Sequence, residues 1–344
     1  MRCARPDQRH GGRRRAASRR RNVQMNASKT VRNGLLLVAS LWAGQVLAWG
    51  QQGTALVGEL AQRQLNADAK AEAARLLGLI KQSDFSVVAN WAGSLDQNPQ
   101  TKALWEKTRN ERLVIYKADD CQYQPPRDCP DGVCTVVAIE RNRATLADPK
   151  APNQARLMAL LFLIHHVADA SSPLNNSFKD DKGGYDFPVK AGGRTYNLRK
   201  TWDDFLLSAA QLDVKAYADK LQKDLPAVDS SSPAAWSQQA CRIVRDGDIY
   251  PKAVSTRKLP TKQYDDDDGD FDSAAKNMEY NRTGKDYSRG DKLMSDSGDK
   301  RDGNTINANY MKKFVPVAEQ QVELASVRLA QLLNDALVAG RPAL

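Results

Sequence analysis

The stretch from Ala151 to Ala170, APNQARLMALLFLIHHVADA, constrains this chain more than any other. Beyond Arg156 almost every position is apolar, so the helix it predicts has no polar face for water and must be enclosed by protein. Such a helix needs a ring of amphipathic partners, which points to a mainly α fold with this segment at its centre. Three polar residues interrupt it, and two of them, His165 and Asp169, stand four apart and so project from one face towards one point. Taken alone the pair reads as a satisfied polar contact in a helical interior or as half of a metal site. The residues that follow, Ser171, Ser172 and Asn175, are poor zinc donors.

The partners are legible from helical spacing. Residues 54–79 predict two helices, 84–96 an amphipathic helix around Trp91, and further helices follow near Thr201 and over 208–223, 233–244 and 314–338. Residues 111–139 are rich in Cys, Pro, Asp and Gly and hold one short stretch, TVVAI, that reads as extended. Gly pairs at 183–184 and 192–193 suit a small β-hairpin region. Residues 252–308 shift to Asp, Lys, Ser, Gly and Asn, a long acidic insert that reads as disordered. Its YDDDDGDFD run fails as a calcium loop: with Gly269 at the sixth position, Tyr264 and Ala275 stand where acids are required.

The formal charge of +10 would suggest a nucleic-acid or membrane-surface binder if it were spread over the fold. It is concentrated at the start, where residues 1–24 carry nine Arg against Asp7. From Met25 the chain reads as a signal peptide over 25–48, with Lys29 and Arg32, the apolar run GLLLVASLWAGQVLA and small residues ending at Ala48. Residues 1–24 then read as a leader absent from the mature protein, and the apolar run is shorter than the roughly 20 residues that span a bilayer. From Trp49 onward the chain has 40 basic and 40 acidic residues. The expectation is an exported protein, periplasmic or extracellular, with no membrane attachment after cleavage. In an oxidising compartment its four remaining cysteines, Cys121, Cys129, Cys134 and Cys241, read as disulfides rather than a zinc site. Three pairings are open; the short CPDGVC loop favours Cys129 with Cys134, leaving Cys121 with Cys241.

Several segments in order carry a resemblance: Trp49 with GQQGTALVGELAQRQL, then VVANWAG, CQYQPPRDCPDGVC, ALLFLIHHVADASSPL, DDKGGYDFPV, NLRKTWDDFLL and LASVRLAQLLN. Residues 49–344 resemble the secreted S1/P1 nucleases, zinc-dependent enzymes that cut single-stranded nucleic acid, within the phospholipase C-like superfamily. The resemblance implies a single α-helical domain, two disulfides placed like the pairing above, and three clustered zinc ions that activate water and stabilise charge on phosphate. It also implies that cleavage before Trp49 would free an α-amino group as a zinc ligand.

Carried over position by position, the metal ligands divide. Trp49, His165, Asp169 and Asp203 match. The positions of the other five hold Thr54, Gly93, Arg112, Asn175 and Arg199, and the family's phosphate-assisting Arg falls on Asp96. Four of nine ligands leave no zinc with a full set, and the chain from Trp49 has only the adjacent His165 and His166, of which His166 reads as structural. The resemblance therefore implies zinc that is absent or substoichiometric and assigns no catalytic residue. Arg112 and Arg199 become candidate substrate-binding residues, with single-stranded nucleic acid, a nucleotide or a phosphate as ligand. Arg199, one turn before Asp203, is expected to bridge Asp169 and Asp203. Three functions are consistent with these residues: a nuclease homologue with lost or reduced activity, an active phosphohydrolase with fewer metals, or a non-catalytic protein acting through the acidic insert.

Overall fold

A computed structural model of the chain describes residues 49–227, 231–251 and 304–340. Residues 1–48, read above as leader and signal peptide, and residues 252–303 of the expected insert lie outside them.

The apolar segment forms helix α4, and the other long helices are numbered around it: α1 (Gly50–Arg63), α2 (Ala67–Gly78), α3 (Thr135–Ala147), α4 (Asn153–Ser171), α5 (Val214–Leu221), α6 (Pro233–Asp246) and α7 (Ala308–Ala339). From Ala159 to Ser171 every residue of α4 is buried, as its composition requires. It packs against α3, α6 and α7, while α7 also runs along α1, α2 and α3. Helix starts follow local chemistry: Asn66, Asp213, Ser232 and Asn307 each accept a hydrogen bond from the backbone N–H three residues on. At the other end of α4, the Asn176 amide donates to the carbonyls of Asp169, Ala170 and Ser172, groups a helix end leaves without partners. Among the described residues no helix is long and apolar enough to cross a membrane.

The hairpin is one antiparallel pair, β1 (Pro188–Ala191) and β2 (Arg194–Asn197), with Gly192 and Gly193 in its turn, both at positive φ. Gly183 and Gly184 do not belong to it; they shape the preceding loop, with a consequence described below. The TVVAI stretch is not extended. It opens α3, where Val136 and Val137 pack into the disulfide-linked cluster with Val114 and Tyr116, so tertiary packing overrides the local preference. The helix expected over 84–96 is one turn, Phe85–Val88, followed by a tighter turn, Ala92–Gln97. The helix expected over 208–223 shrinks to 214–221, and the last one starts six residues earlier than expected. Residues 304–306, assigned above to the insert, hydrogen-bond to Lys190 on β1.

The disulfides are Cys121 to Cys241 and Cys129 to Cys134. They hold the segment after Arg112, whose Val114 and Tyr116 amides donate to the carbonyls of Asn175 and Ser177. The bridges span 120 and 5 residues, so loop-closure entropy assigns about 5 kcal/mol to the first and about 2 kcal/mol to the second. Urea unfolding at pH 7 is expected to show Cys241→Ser losing at least twice the stability that Cys134→Ser loses; equal losses would contradict the entropic account.

Candidate nuclease-type site

Trp49 is fully buried at the start of α1, and its indole Nε1 donates to the carbonyl of Ala168 at 3.0 Å, one residue before Asp169. Gly50 follows at φ +56°, and a Cβ there would stand 2.3 Å from the carbonyl oxygen of Asp203. Only glycine permits that approach. The start of α1 therefore packs on both elements that carry the surviving acids, α4 beside Asp169 and the turn that carries Asp203.

That turn is set up from β2. Asn197 ends the strand and caps the next helical turn by accepting from Lys200 N at 2.7 Å. Arg199 then lies one turn before Asp203, and a π-type turn over Thr201–Phe205 carries the acid. Arg199 Nε donates to Asp203 Oδ2 at 2.9 Å. Gly183 and Gly184 cover the arginine: both have positive φ, a Cβ on Gly183 would meet Leu174 O at 2.4 Å, and Arg199 N donates to Gly184 O.

On α4, Asp169 is fully buried and its two oxygens are divided. Asn175 Nδ2 donates to Oδ1 at 2.9 Å, and Arg112 Nε donates to Oδ2 at 3.4 Å. Asn175 Nδ2 also donates to the Arg112 carbonyl at 3.2 Å, so one amide ties the acid to the end of the 3-10 turn, Arg109–Arg112, that bears its cation. The expected bridge by Arg199 across both acids is not formed. Each acid has its own guanidinium: Arg112 donates to Asp169, and Arg199 donates to Asp203 within its own turn.

His165 presents its Nδ1 to the Ala89 carbonyl at 3.1 Å, which only accepts, so Nδ1 carries the proton. Its Nε2 is left as a bare acceptor 3.5 Å from Asp169 Oδ2, with no hydrogen-bond partner. Burial first, and the nearby Arg112 charge second, push this imidazole down to about 3. His166 stacks on Phe162 with ring centres 5.3 Å apart and is likewise held down to about 3, chiefly by burial. Both are neutral at pH 7. Burial pushes the Asp203 carboxyl well above its usual range, against the pull of Arg199, and raises Asp169 against the pull of Arg112.

The remaining replaced positions are turned away from metal chemistry. Thr54 is buried and its hydroxyl donates to the Gly50 carbonyl within its own helix. Gly93 is buried in the turn after Trp91 and offers no side chain, and Asp96 sits half-buried in the same turn. Among the described residues no three His, Cys, Asp or Glu side chains converge on a point that could hold a metal ion. A zinc ion set between Asp169 and Asp203 would face two guanidiniums of its own sign. The donor set does not fit a zinc cluster.

Sequence reading brought Trp49, His165, Asp169, Asp203, Arg112 and Arg199 to one buried region, and the structure places all six there. It missed Asn175 as the clamp on Asp169, and it missed Trp105 and Tyr185, whose rings lie 5.8 Å and 5.5 Å from the Arg112 and Arg199 guanidinium carbons. The Gly183-Gly184 pair directly before Tyr185 was the available signal, since adjacent glycines mark close backbone approach as well as turns.

The S1/P1 Nuclease family model matches residues 49–338. The chain belongs to the S1/P1 nuclease family. Endonuclease 3 of Arabidopsis thaliana is 23% identical over 89% of this chain and 95% of its own. Endonuclease 1 of the same plant is 27% identical over 88% and 90%, and Nuclease P1 of Penicillium citrinum 28% over 46% and 58%. The mainly α architecture, with a single hairpin among the described residues, is that of the P1 nuclease type.

Two measurements follow from this geometry. Arg199→Ala leaves the Asp203 carboxyl buried without its cation, so unfolding at pH 7 is expected to lose about 3 kcal/mol or more, with part of the loss recovered in the double variant with Asp203→Ala. A residual loss below about 0.5 kcal/mol would mean the pair does not hold this region. The second concerns His166. Its folded value lies far below the ordinary 6.5, so the unfolded chain takes up the proton first as pH falls, and this contribution to stability is present above pH 6.5 and lost down to about 3. Relative to His166→Phe, the unmodified protein should lose about 1.4 kcal/mol per pH unit on acidification below 6.5. Parallel stability curves would show that His166 does not titrate differently in the folded state.

Proposed function

We propose that this chain is an exported nuclease-family protein whose phosphodiester hydrolysis is lost or much reduced, and which retains the ability to bind a single-stranded nucleic acid, a nucleotide or a phosphate group. One observation carries the reading: the carboxylates of Asp169 and Asp203, the surviving acidic ligand positions, each engage a buried guanidinium through Oδ2. In the family as the resemblance describes it, zinc supplies the hydrolytic chemistry, lowering the pKa of a water and neutralising phosphate charge. A guanidinium performs only the second task. It is a fixed cation with planar N–H donors, suited to hold a phosphate oxygen and unable to activate water by coordination.

The reading with fewer metals would require Trp49, His165, Asp169 and Asp203 to share an ion. Against it, Asp169 has both oxygens occupied by N–H donors, and Asp203 one. A role for the acidic insert rests on residues outside the described ones, and no observation favours it.

The test is elemental analysis of the mature protein after extensive dialysis, together with an assay on denatured DNA. We expect less than a tenth of an equivalent of zinc and no cleavage above a buffer control at micromolar protein. Stoichiometric zinc with efficient cleavage would overturn the proposal and restore the enzyme.

A further inference from the structure

The loop from α4 to the hairpin carries a run of charged and aromatic residues, SFKDDKGGYDF, of which the nuclease-type site uses only the Gly-Gly-Tyr part. Its shape is set locally: Lys179 N donates to Ser177 Oγ at 3.1 Å, Gly184 N to Asp181 Oδ1 at 2.9 Å and Asp186 N to the Asp181 carbonyl at 3.0 Å. Two other segments close on it. Tyr250 follows α6, where the Ile249 carbonyl accepts from the Tyr310 hydroxyl at 2.6 Å, and its ring meets that of Phe187 with centres 4.9 Å apart and planes at 86°. Asn304 is tied to the hairpin, with Nδ2 donating to the Pro188 carbonyl at 3.2 Å and its own carbonyl accepting from Lys190 N at 3.0 Å.

Between these three segments lies an open cavity of about 530 Å³, whose lining includes Lys179, Asp180, Asp181, Phe187, Tyr250 and Asn304. None of Trp49, Arg112, Asp169, Arg199 and Asp203 lines it. The wall sets two carboxylates against one ammonium, beside two aromatic rings nearly at a right angle. That combination discriminates between ligands. An anion meets two like charges, and an apolar group would strip water from both carboxylates. A cation gains from the acids and from the negative ring faces together.

Lys179 shows which cation these rings accept. It is exposed, so open solvent is available to its side chain, yet its ammonium lies 4.9 Å from the centre of the Phe178 ring and 5.8 Å from that of Tyr250. A primary ammonium therefore already occupies the aromatic side of the cavity. Asn304 Oδ1 is buried with no hydrogen-bond partner among the described residues, an acceptor that favours a ligand bringing N–H donors over a quaternary one.

We propose that this cavity is a receptor for the primary ammonium of an alkylamine, a lysine side chain of a polypeptide or a polyamine, which enters by displacing Lys179 from the Tyr250 ring. The incoming group takes the ring face that Lys179 leaves and shares the cavity with Asp180 and Asp181, while the displaced lysine returns to water. Lys179 is thus a built-in competitor, and removing it strengthens binding. The inference goes beyond the preceding reading and is independent of it, because no residue of the nuclease-type site takes part.

The test uses the full mature chain at low ionic strength, with saturation-transfer NMR titrations of glycyl-lysyl-glycine blocked at both ends, of the same peptide with norleucine in place of lysine, and of spermidine. We expect the lysine peptide to bind and the norleucine peptide, which lacks the ammonium, not to. Lys179→Gln should tighten binding about threefold or more, and Asp180→Asn should weaken it by about as much. Lys182→Gln removes a neighbouring exposed lysine that pairs with Asp186 and does not line the cavity, so it should leave the affinity within about twofold. All three positions are exposed, so the variants report on binding rather than folding. The tighter of the two amines identifies the source, polypeptide or free polyamine. Absence of binding by both amines, equal binding of the norleucine peptide, no weakening in Asp180→Asn, or equal responses to Lys179→Gln and Lys182→Gln would overturn the proposal, the last because it would reduce the effect to general surface charge.

Discussion

Two carboxylates buried in one region, each facing its own guanidinium, are the constraint to which the rest of this structure answers. Asp169 and Asp203 are both more than nine-tenths enclosed, and an ionised carboxylate in that position is prohibitively unfavourable without a counter-charge. The fold supplies the counter-charges from two separate segments. Arg112 ends a 3-10 turn whose following segment is pinned to the loop after α4, and Arg199 arrives on a capped turn leaving the hairpin. Features that look unrelated in the chain, namely Cys121, Asn175, Asn197, Gly50 and the Gly183-Gly184 pair, are all ways of delivering these charges to fixed places.

Much of this fold is legible from sequence, and the reason is specific. The apolar run of α4 cannot be solvated, so its burial and the surrounding helices follow from composition alone. Cap residues mark several helix starts, and the short CPDGVC loop favours one disulfide and leaves the other. The failures also share a cause. TVVAI has the residues of a strand but lies where α3 must cover the disulfide-linked cluster, and the long segment around Trp91 breaks into two turns because Ala92, Leu95 and Trp91 have to meet Phe162. In both, contacts between residues distant in sequence decide the local conformation, and a periodicity reading has no access to them.

The site divides in the same way. Its members were identifiable because they sit at positions the family resemblance marks, but their pairing was not. A one-turn spacing makes Arg199 and Asp203 partners in any helical reading. Nothing in the spacing of Arg112, Asp169 and Asn175, spread over more than sixty residues, reveals that one amide clamps the other two together. The long-range partner of Asp169 therefore had to come from the structure, and with it the correction from one bridging arginine to two.

That correction changes the chemistry available. A single arginine shared between two acids would spend its donors on both and retain little for a ligand. Two arginines, each engaging its acid through Nε alone, keep their terminal donors outside those two ion pairs, with an aromatic ring beside each. Divalent ions bind phosphate because they concentrate positive charge at a point, and they activate water for the same reason. Guanidiniums spread a single charge over a plane and present it through directed hydrogen bonds. On the proposed reading, replacing the first by the second would preserve attraction for phosphate and remove the means of attacking it, so that recognition and hydrolysis, joined in a metal centre, would become separable properties of the same fold.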